Sequence, residues 1–401
     1  VRDDPDKHGI LYLGTHTGVM VSMDDGASWQ PLQFRLPAAP VSDLRVKDND
    51  LVIGTNGRGL WVLDDLTPVR EAGEQGEGKG HLLSVQDHTR FGYSWWMDYA
   101  PGGDPGDKKK YFVQNLRPGH QYYEQGVING EKKRQYVNAG DAKPLGVMMY
   151  FRLEEGAEDV SITILDQNGE EIVTHANEQL TLRYAAPGNN ANDAGLNRFV
   201  WNMRYPLPPV IPTRPPTAVQ PIAKPGIYTA RLTVDGVVQE REFELRINPR
   251  EVYTREQTAA RVEYWMEIYD FVVENSNGII AALELRDETA ARVEAMKTSG
   301  ASADAIAEAE KSAAIIAGAA NEYEASFVAT GRTLAEVINL PPKIFTKIIF
   351  LSDLLATSEG PPTSVMRTQW AKLEELGDEA AAKYQAAIEP AIVAFNQAAT
   401  Q

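Results

Sequence analysis

Two segments near the start of the chain share one pattern, and this repeat constrains the fold more than any other feature of the sequence. Residues 10–25 align with residues 50–65, at an offset of 40 residues that is locally 41 after one insertion near Gly57. Each segment predicts a strand, a Gly-Thr turn, a second strand and an Asp-Asp turn. We therefore expect two antiparallel sheets of the same kind to follow one another in this part of the chain.

The length of this repeat indicates a fold class. A period near 40 residues, with several short strands in each unit, is typical of β-propellers. Two blades cannot close a propeller, which needs at least about four. We therefore expect residues 1–70 to be terminal propeller blades, with the other blades located upstream in the same chain or in another chain.

A compact polar corner follows the first predicted hairpin, at Ser22, Asp24, Gly26 and Trp29. Asp and Gly tolerate the unusual backbone angles that a tight corner requires. The side chains of Ser22 and Asp24 can form hydrogen bonds with the backbone of the turn, and Trp29 can pack over the hairpin. We interpret these four residues as structural and not as catalytic.

The pattern S-x-D-x-G-x-S-W of this corner resembles the Asp-box of BNR, sialidase-like β-propellers. The segments GLNRFVWNMRYP (195–206), KPGIYTARLTVDG (224–236) and INPR (247–250), followed by a helical tail, extend the resemblance over most of the chain. This order is similar to the carboxyl-terminal half of large bacterial exported proteins called BNR-repeat or sortilin-like "glycosyl hydrolases". The resemblance implies a propeller upstream and a secreted, periplasmic or cell-surface location, with any signal peptide outside this chain. It supplies no catalytic residue within the chain.

Three polar residues, His16, Asn56 and Arg58, fall in the turns between the predicted strands. Propellers often present binding groups in such turns, so these residues are candidates for ligand contact. The alternative is that they are ordinary polar residues of exposed turns, and the sequence leaves both interpretations open.

Residues 71–145 predict a connector with few strands or helices. Residues 71–80 are rich in Gly and Glu and are typical of a flexible loop. The aromatic residues that follow include Trp95, Trp96 and Tyr99, which are candidates for stacking on sugar rings. Alternatively, they pack a loop between two domains.

Residues 146–250 predict a small Ig-like β-sandwich. Residues 146–153 and 160–165 have strand patterns, and residues 166–169 form a hairpin turn between strands. Residues 224–236 and 240–247 predict a last hairpin. Short strands at roughly ten-residue spacing are typical of such a sandwich, and the family resemblance implies that it is a FlgD-type immunoglobulin-like module.

Residues 251–401 predict an antiparallel helical bundle. Thr254 and Gln257 fit a capping box at the start of the first helix. A second helix is expected from Ser302 to about Ala329, where Gly331 would stop it. A shorter helix should follow Pro341-Pro342, and a last one should run from near Thr363 towards Phe395.

Composition excludes several classes of protein. The formal net charge is −17, whereas a protein that binds nucleic acid needs a basic surface to release counterions. The absence of cysteine excludes disulfides, thiol nucleophiles and cysteine-based zinc sites. The most apolar run, residues 344–355, contains Lys347 and Asp353 and is too short to span a bilayer. We therefore expect neither nucleic acid as a partner nor a membrane span.

No local motif for catalysis or cofactor binding is present in the sequence. It contains no G-x-S-x-G, H-E-x-x-H or G-x-x-x-x-G-K-[ST] pattern, and its six histidines are scattered without the spacing of metal ligands. We predict no catalytic residue, no metal site and no cofactor within this chain.

These observations predict a multidomain fold, β and then α, with partial β-propeller blades (1–70), a connector (71–145), an Ig-like β-sandwich (146–250) and a C-terminal antiparallel helical bundle (251–401). The leading hypothesis is a non-catalytic region of a secreted β-propeller protein with a binding or assembly role towards an extracellular polysaccharide or protein. The alternative is part of a BNR-type glycoside hydrolase, similar to sialidases or xyloglucanases, with its catalytic residues mainly in upstream blades.

Overall fold

The computed structural model describes residues 1–32, 36–74, 78–90, 143–177, 192–212, 217, 219–329 and 341–400, together with the backbone of 111–116, 119–128 and 131–136. Strands occupy the first part of the chain and four long helices the last part of these ranges. The predicted β-then-α multidomain class is therefore confirmed.

The N-terminal strands form two antiparallel sheets, one for each copy of the sequence repeat. The first sheet has the order β1-β2-β3-β4 and the second the order β5-β6-β7. The strand–turn–strand pattern predicted for both copies is confirmed. A short helix, α1 (Thr67–Arg70), follows the second sheet. The strands are β1 (Arg2–Asp3), β2 (Leu11–Gly14), β3 (Val19–Ser22), β4 (Gln30–Pro31), β5 (Val41–Lys47), β6 (Asp50–Thr55) and β7 (Leu60–Leu63).

The two N-terminal sheets share one apolar core. Buried side chains from both of them, including Tyr12, Val21, Leu51 and Ile53, belong to a single cluster, and Leu66 before α1 joins it. Alternate residues of β3, β6 and β7 face this core, as the period-two pattern of the sequence requires. Neither sheet could bury this surface alone, so the two copies stabilise each other.

A three-stranded antiparallel sheet lies within the stretch that we expected to contain few strands. Its strands are β10 (Tyr111–Leu116), β11 (Gly119–Ile128) and β12 (Glu131–Tyr136), in the order β10-β11-β12. The expectation was wrong because the Gly and Pro residues are not spread evenly over residues 71–145. Gly and Pro are concentrated at residues 101–106, whereas residues 111–113 are aromatic or β-branched, types that favour a strand.

Two further sheets are built mainly from residues 146–250, and the strands predicted there are confirmed. Their orders are β16-β13-β8 and β15-β14-β17-β18-β9. Both sheets also recruit short strands from before residue 90, which the sequence did not predict. The strands are β8 (Gly80–Leu82), β9 (His88–Thr89), β13 (Val147–Leu153), β14 (Val160–Leu165), β15 (Glu171–Ala176), β16 (Gly195–Trp201), β17 (Gly226–Val234) and β18 (Val237–Arg246).

Large aromatic side chains fill the space between these two sheets. The ring of Trp201 on β16 lies 5.5 Å from that of Tyr228 on β17 and 6.1 Å from that of Phe243 on β18, measured between centroids. All three side chains are buried. Because aromatic residues bury more apolar surface than any others, this contact contributes strongly to holding the sheets together.

The C-terminal helices are α2 (Arg255–Ser299), α3 (Ala303–Phe327), α4 (Ile344–Ala356) and α5 (Ser364–Ala398). The predicted capping box is confirmed: Gln257 N donates to Thr254 Oγ1 (3.3 Å) and Thr254 N donates to Gln257 Oε1 (3.0 Å). The predicted end of α3, about Ala329, lies two residues beyond the observed end. This helix ends at Phe327, because Val328 adopts extended backbone angles, and Gly331 lies outside the described residues.

The helices pack through small and aromatic side chains. Val293 of α2, Ile316 of α3 and Phe395 of α5 belong to one buried cluster that also contains several alanines. Elsewhere Gly377 of α5 lies against the ring of Phe271, whose Cζ would be only 2.2 Å from a Cβ at that position. The small residue therefore sets how closely α2 and α5 approach.

The described residues divide into two compact units, both discontinuous in sequence. The first lies within Val1–His88, Ala100–Asn202 and Gly226–Leu245, and the second within Thr89–Tyr99, Met203–Pro225 and Arg246–Gln401. The division into four domains at residues 70, 145 and 250 stays a prediction.

Candidate functional site

Hydrogen bonds within a few residues hold the polar corner after β3. Ser22 Oγ donates to Asp24 Oδ1 (2.8 Å) and accepts a hydrogen bond from Gly26 N (2.8 Å). Asp24 accepts two more from Ser28, one from its hydroxyl (2.5 Å) and one from its backbone N–H (2.8 Å). These bonds, led by that of the Ser28 hydroxyl, lower the pKa of Asp24 from 3.8 to about 2. Both oxygens of the Asp24 carboxylate therefore accept hydrogen bonds from within the corner itself.

Backbone conformation and an aromatic ring complete this corner. Asp25 and Gly26 both adopt positive φ angles, 57° and 89°. A Cβ at Gly26 would lie 3.8 Å from Trp29 Cζ2 and 3.4 Å from Leu11 Cδ1. The ring of Trp29 thus lies beside the corner. The arrangement of Ser22, Asp24, Gly26 and Trp29 is that of a turn-stabilising unit, and its identification as an Asp-box stays a prediction.

The Gly-Thr turns of the two repeat copies have the same hydrogen bonds. Thr15 donates to Gly18 O through its hydroxyl (3.0 Å) and its N–H (2.8 Å). Thr55 donates to Gly59 O through its hydroxyl (2.6 Å) and its N–H (3.1 Å). The sequence repeat is therefore a structural repeat, down to the bonds that close each turn.

The candidate ligand-contacting residues His16, Asn56 and Arg58 are exposed in these two turns. One extended segment connects the turns, because Val41 N donates to Thr15 O (2.9 Å) and Asn56 N donates to Pro40 O (2.8 Å). The structure therefore brings His16, Asn56 and Arg58 to the same end of the paired sheets. Trp95, Trp96 and Tyr99 lie outside the described residues.

A buried polar network, which sequence reasoning missed, joins the two repeat copies. Asp4 accepts hydrogen bonds from Tyr12 Oη (2.7 Å) and Arg70 Nε (3.0 Å), and Arg70 also donates to Asn49 Oδ1. Asn49 Nδ2 in turn donates to Asp65 Oδ1 (2.7 Å). Burial alone would raise the pKa of Asp4, but the bonds from Arg70 and Tyr12 outweigh it and lower the pKa. Sequence reasoning gave no signal for this network, because Asp4, Asn49 and Arg70 are far apart along the chain.

The outer edge of β7 is open. β7 is the last strand of its sheet, and no strand within the described ranges pairs with its far side. Leu60 and Val62 are 79% and 50% exposed, whereas Trp61 and Leu63 pack against the core. In the first copy the equivalent strand, β3, pairs with a fourth strand, β4. Among the described residues, the second sheet therefore has three strands where the first has four.

One group of side chains in the described part of the chain could hold a metal ion. Glu71, Glu74 and His81 each offer a ligand atom, and these atoms lie within 4.8 Å of one another. His81 is buried, and burial lowers its pKa, with further lowering by Arg241 and Arg152. The spacing of these three residues along the chain matches no common ligand motif, so the sequence analysis did not find them.

None of the described helices combines the length and the apolar character that crossing a bilayer would need. No family model matches the chain. No curated protein matches it either. A structural comparison gives CopC from Methylosinus trichosporium OB3b, at 21% identity over 28% of this chain and 86% of CopC. Its TM-score of 0.16 is too low to carry an argument about fold or function.

Proposed function

We propose that this chain is a non-catalytic binding and assembly region of a secreted β-propeller protein. In this proposal the two N-terminal sheets are terminal blades. The sheets built mainly from residues 146–250 are an Ig-like sandwich of the FlgD type, and the four long helices form an antiparallel bundle. The matching turns at Thr15 and Thr55, and the Asp24 corner, support the blade assignment.

The observation that carries the assembly function is the open edge of β7. An unpaired strand edge presents a row of free N–H and C=O groups and readily pairs with another strand. Leu60 and Val62 are at alternate positions, so both point to one face of the sheet and would contact a partner strand's side chains. A soluble protein rarely leaves such a strand both apolar and uncovered without using it.

The partner that fits this edge is a β-strand of another propeller blade. The first repeat copy shows the arrangement, because β4 pairs with β3 through Met20 and Val21. Recognition by strand addition draws its affinity from backbone hydrogen bonds and its specificity from alternate side chains. The strand could belong to the same polypeptide or to a second one, since both would offer the same backbone groups. The exposed turns with His16, Asn56 and Arg58 lie at one end of this assembly and are available to an extracellular ligand.

The test measures the oligomeric mass of the full chain by light scattering over a range of concentrations. Open edges pair with one another when their natural partner is missing, so the mass of the unaltered chain should rise with concentration. The double variant Leu60→Lys/Val62→Lys introduces charge along the edge and should remain monomeric. The matched control Val252→Lys/Val365→Lys changes two valines that are 86% and 68% exposed outside the sheets. It should associate like the unaltered chain.

A mass that stays constant over all concentrations would contradict the open-edge proposal, as would association that the two lysines leave unchanged. Incubation of the full chain with a panel of glycans separates this function from the hydrolase alternative. Steady release of reducing sugar would show catalysis and would overturn the non-catalytic assignment.

A further inference from the structure

His81 is a buried imidazole without a hydrogen bond. His81 is 5% exposed, and neither Nδ1 nor Nε2 has a hydrogen-bond partner among the residues that the structure describes. A buried polar group without a partner costs about 1–3 kcal/mol, so native proteins seldom leave one in place. Here a ring nitrogen lies within 4.8 Å of a carboxylate oxygen from both Glu71 and Glu74. The ring is thus positioned next to two anionic groups without donating to either.

The side chain of Gln239 holds the backbone of the residues before and after His81. Gln239 Oε1 accepts a hydrogen bond from Leu82 N (2.9 Å), and Gln239 Nε2 donates to Gly80 O (2.7 Å). On the other edge of β8, His81 is opposite Arg152 of β13. The position of the imidazole is therefore defined before any ligand binds, which is what a metal site requires of its least mobile ligand.

The two carboxylates belong to one tight turn after α1. Glu74 N donates to Glu71 O (3.1 Å), and the Glu71 carboxylate accepts a hydrogen bond from Ser84 N (3.1 Å). Arg152 holds the same turn by donating to the backbone carbonyls of Ala72 and Glu74. Both glutamates are therefore held near His81, although the turn is separated from it in sequence.

We propose that Glu71, Glu74 and His81 form a binding site for a divalent transition-metal ion, with Zn²⁺ as the best match. One imidazole nitrogen and two carboxylate oxygens are a ligand set that Zn²⁺ accepts in proteins. Ca²⁺ and Mg²⁺ prefer oxygen ligands alone and more of them. Three protein ligands leave at least one position of the ion for water.

The three ligand atoms need to move only slightly closer together to bind the ion. Ligand atoms around a tetrahedral zinc ion lie about 3.3 Å apart, since zinc bonds to nitrogen and oxygen are about 2.0–2.2 Å long. The Glu74 side chain is 49% exposed and can close the remaining distance by changing its rotamer. Its present partner is Lys7 Nζ at 3.3 Å, in an exposed ion pair of the kind that contributes little. A dication would therefore displace Lys7 at low cost.

The electrostatic surroundings act in two directions. Arg152 and Arg241 oppose the approach of a cation, whereas the carboxylates of Glu71 and Glu74 favour it. The attraction of these two carboxylates outweighs the repulsion by the two arginines, because each carboxylate would contact the ion directly. The bound ion would join the turn after α1 to strand β8. This site is independent of strand docking at β7.

The test titrates the chelator-treated full chain with zinc chloride, using a chromophoric chelator as competitor, with calcium chloride as a comparison. We expect one Zn²⁺ for each chain, a rise in Tm on binding and no comparable effect of Ca²⁺. Glu74→Gln changes an exposed side chain, so it should fold normally and bind Zn²⁺ at least about tenfold more weakly. His81→Gln should do the same and should remove the imidazole signal from the zinc X-ray absorption spectrum.

His8→Gln and Glu170→Gln are the matched controls, because both change exposed residues of the same two types that are not among the three proposed ligands. They should leave the affinity and the spectrum unchanged. Absence of binding to the unaltered chain would overturn the proposal. So would retention of full affinity by Glu74→Gln, or equal losses in the control variants, which would indicate scattered surface binding.

Discussion

Replacing Arg90 by methionine is expected to destabilise the unit that contains the four long helices. Arg90 is 2% exposed and forms an ion pair with Glu359, 269 positions further along the chain. Its Nε also donates to Ala223 O (2.7 Å). The segment around Glu359 is held in turn by α2, since Thr258 Oγ1 donates to Glu359 O (3.1 Å) and Arg261 donates to Gly360 O (2.9 Å). Arg90 thus connects three distant segments.

The size of the effect follows from the charge that the substitution leaves behind. Without Arg90 the Glu359 carboxylate stays buried without its ion-pair partner, and the Ala223 carbonyl loses a donor. Removing one partner of a buried ion pair costs about 3–5 kcal/mol. For a body of 150–250 residues each kcal/mol shifts Tm by about 2–4 °C, so the transition of this unit should fall by about 6–20 °C.

The assay should report on this unit by itself. Because the chain has two compact units, its unfolding need not be a single transition. Hydrogen exchange measured by mass spectrometry on peptides from α2 and α4 follows the affected elements directly. Differential scanning calorimetry then assigns the shift to one transition.

Two further variants test whether the effect of Arg90→Met comes from the buried ion pair with Glu359. Arg90→Met/Glu359→Leu removes both charges and should recover most of the lost stability, since an apolar replacement of a buried pair is often neutral or stabilising. Arg286→Met breaks an exposed pair with Asp287 and should cost no more than about 1 kcal/mol. If Arg90→Met shifted the transition no more than Arg286→Met did, the assignment of Arg90 as a structural connection would be wrong.

Three smaller perturbations test other parts of the chain. Asp24→Asn should lower Tm near neutral pH and should flatten the stability curve between about pH 4 and 2. The reason is that the folded pKa of about 2 is below the ordinary 3.8, so stability is present above pH 4 and is lost as the carboxylate is protonated. Gly146→Ala should cost about 2–5 kcal/mol, because its Cβ would lie 2.2 Å from Trp201 O at a φ of 149°. Thr254→Ala should cost about 0.5–2 kcal/mol and should speed hydrogen exchange in the first turn of α2.

Each of these has a control nearby. Asp25→Asn alters a carboxylate of the same corner at a position where asparagine tolerates the backbone angle, and it should keep the acid limb of the curve. Gly73→Ala adds a Cβ in open space and should be close to neutral. Ser326→Ala removes an exposed hydroxyl within α3 and should not change exchange in α2. Equal effects in a variant and its control would contradict the corresponding explanation.

Those parts of the candidate site that depend on neighbouring residues could be predicted from the sequence. Ser22, Asp24 and Ser28 close their corner within seven positions, and each bond depends only on residue types that favour such turns. The capping box of Thr254 and Gln257 is local in the same sense. The open edge of β7 could not be predicted, because strand propensity does not reveal which strands will find a neighbour.

By itself, the sequence determined that this chain is β-rich first and helical last, with a repeated strand–turn–strand unit and capped helices. Only the tertiary structure decided that β8 and β9 join sheets formed by residues far along the chain, and that His81 meets Glu71 and Glu74. It also decided that Arg90 reaches Glu359. The physical reason is that hydrogen-bonding patterns and hydrophobic periodicity act over a few residues. Burial and charge pairing depend on where the whole chain runs, and no local pattern records that.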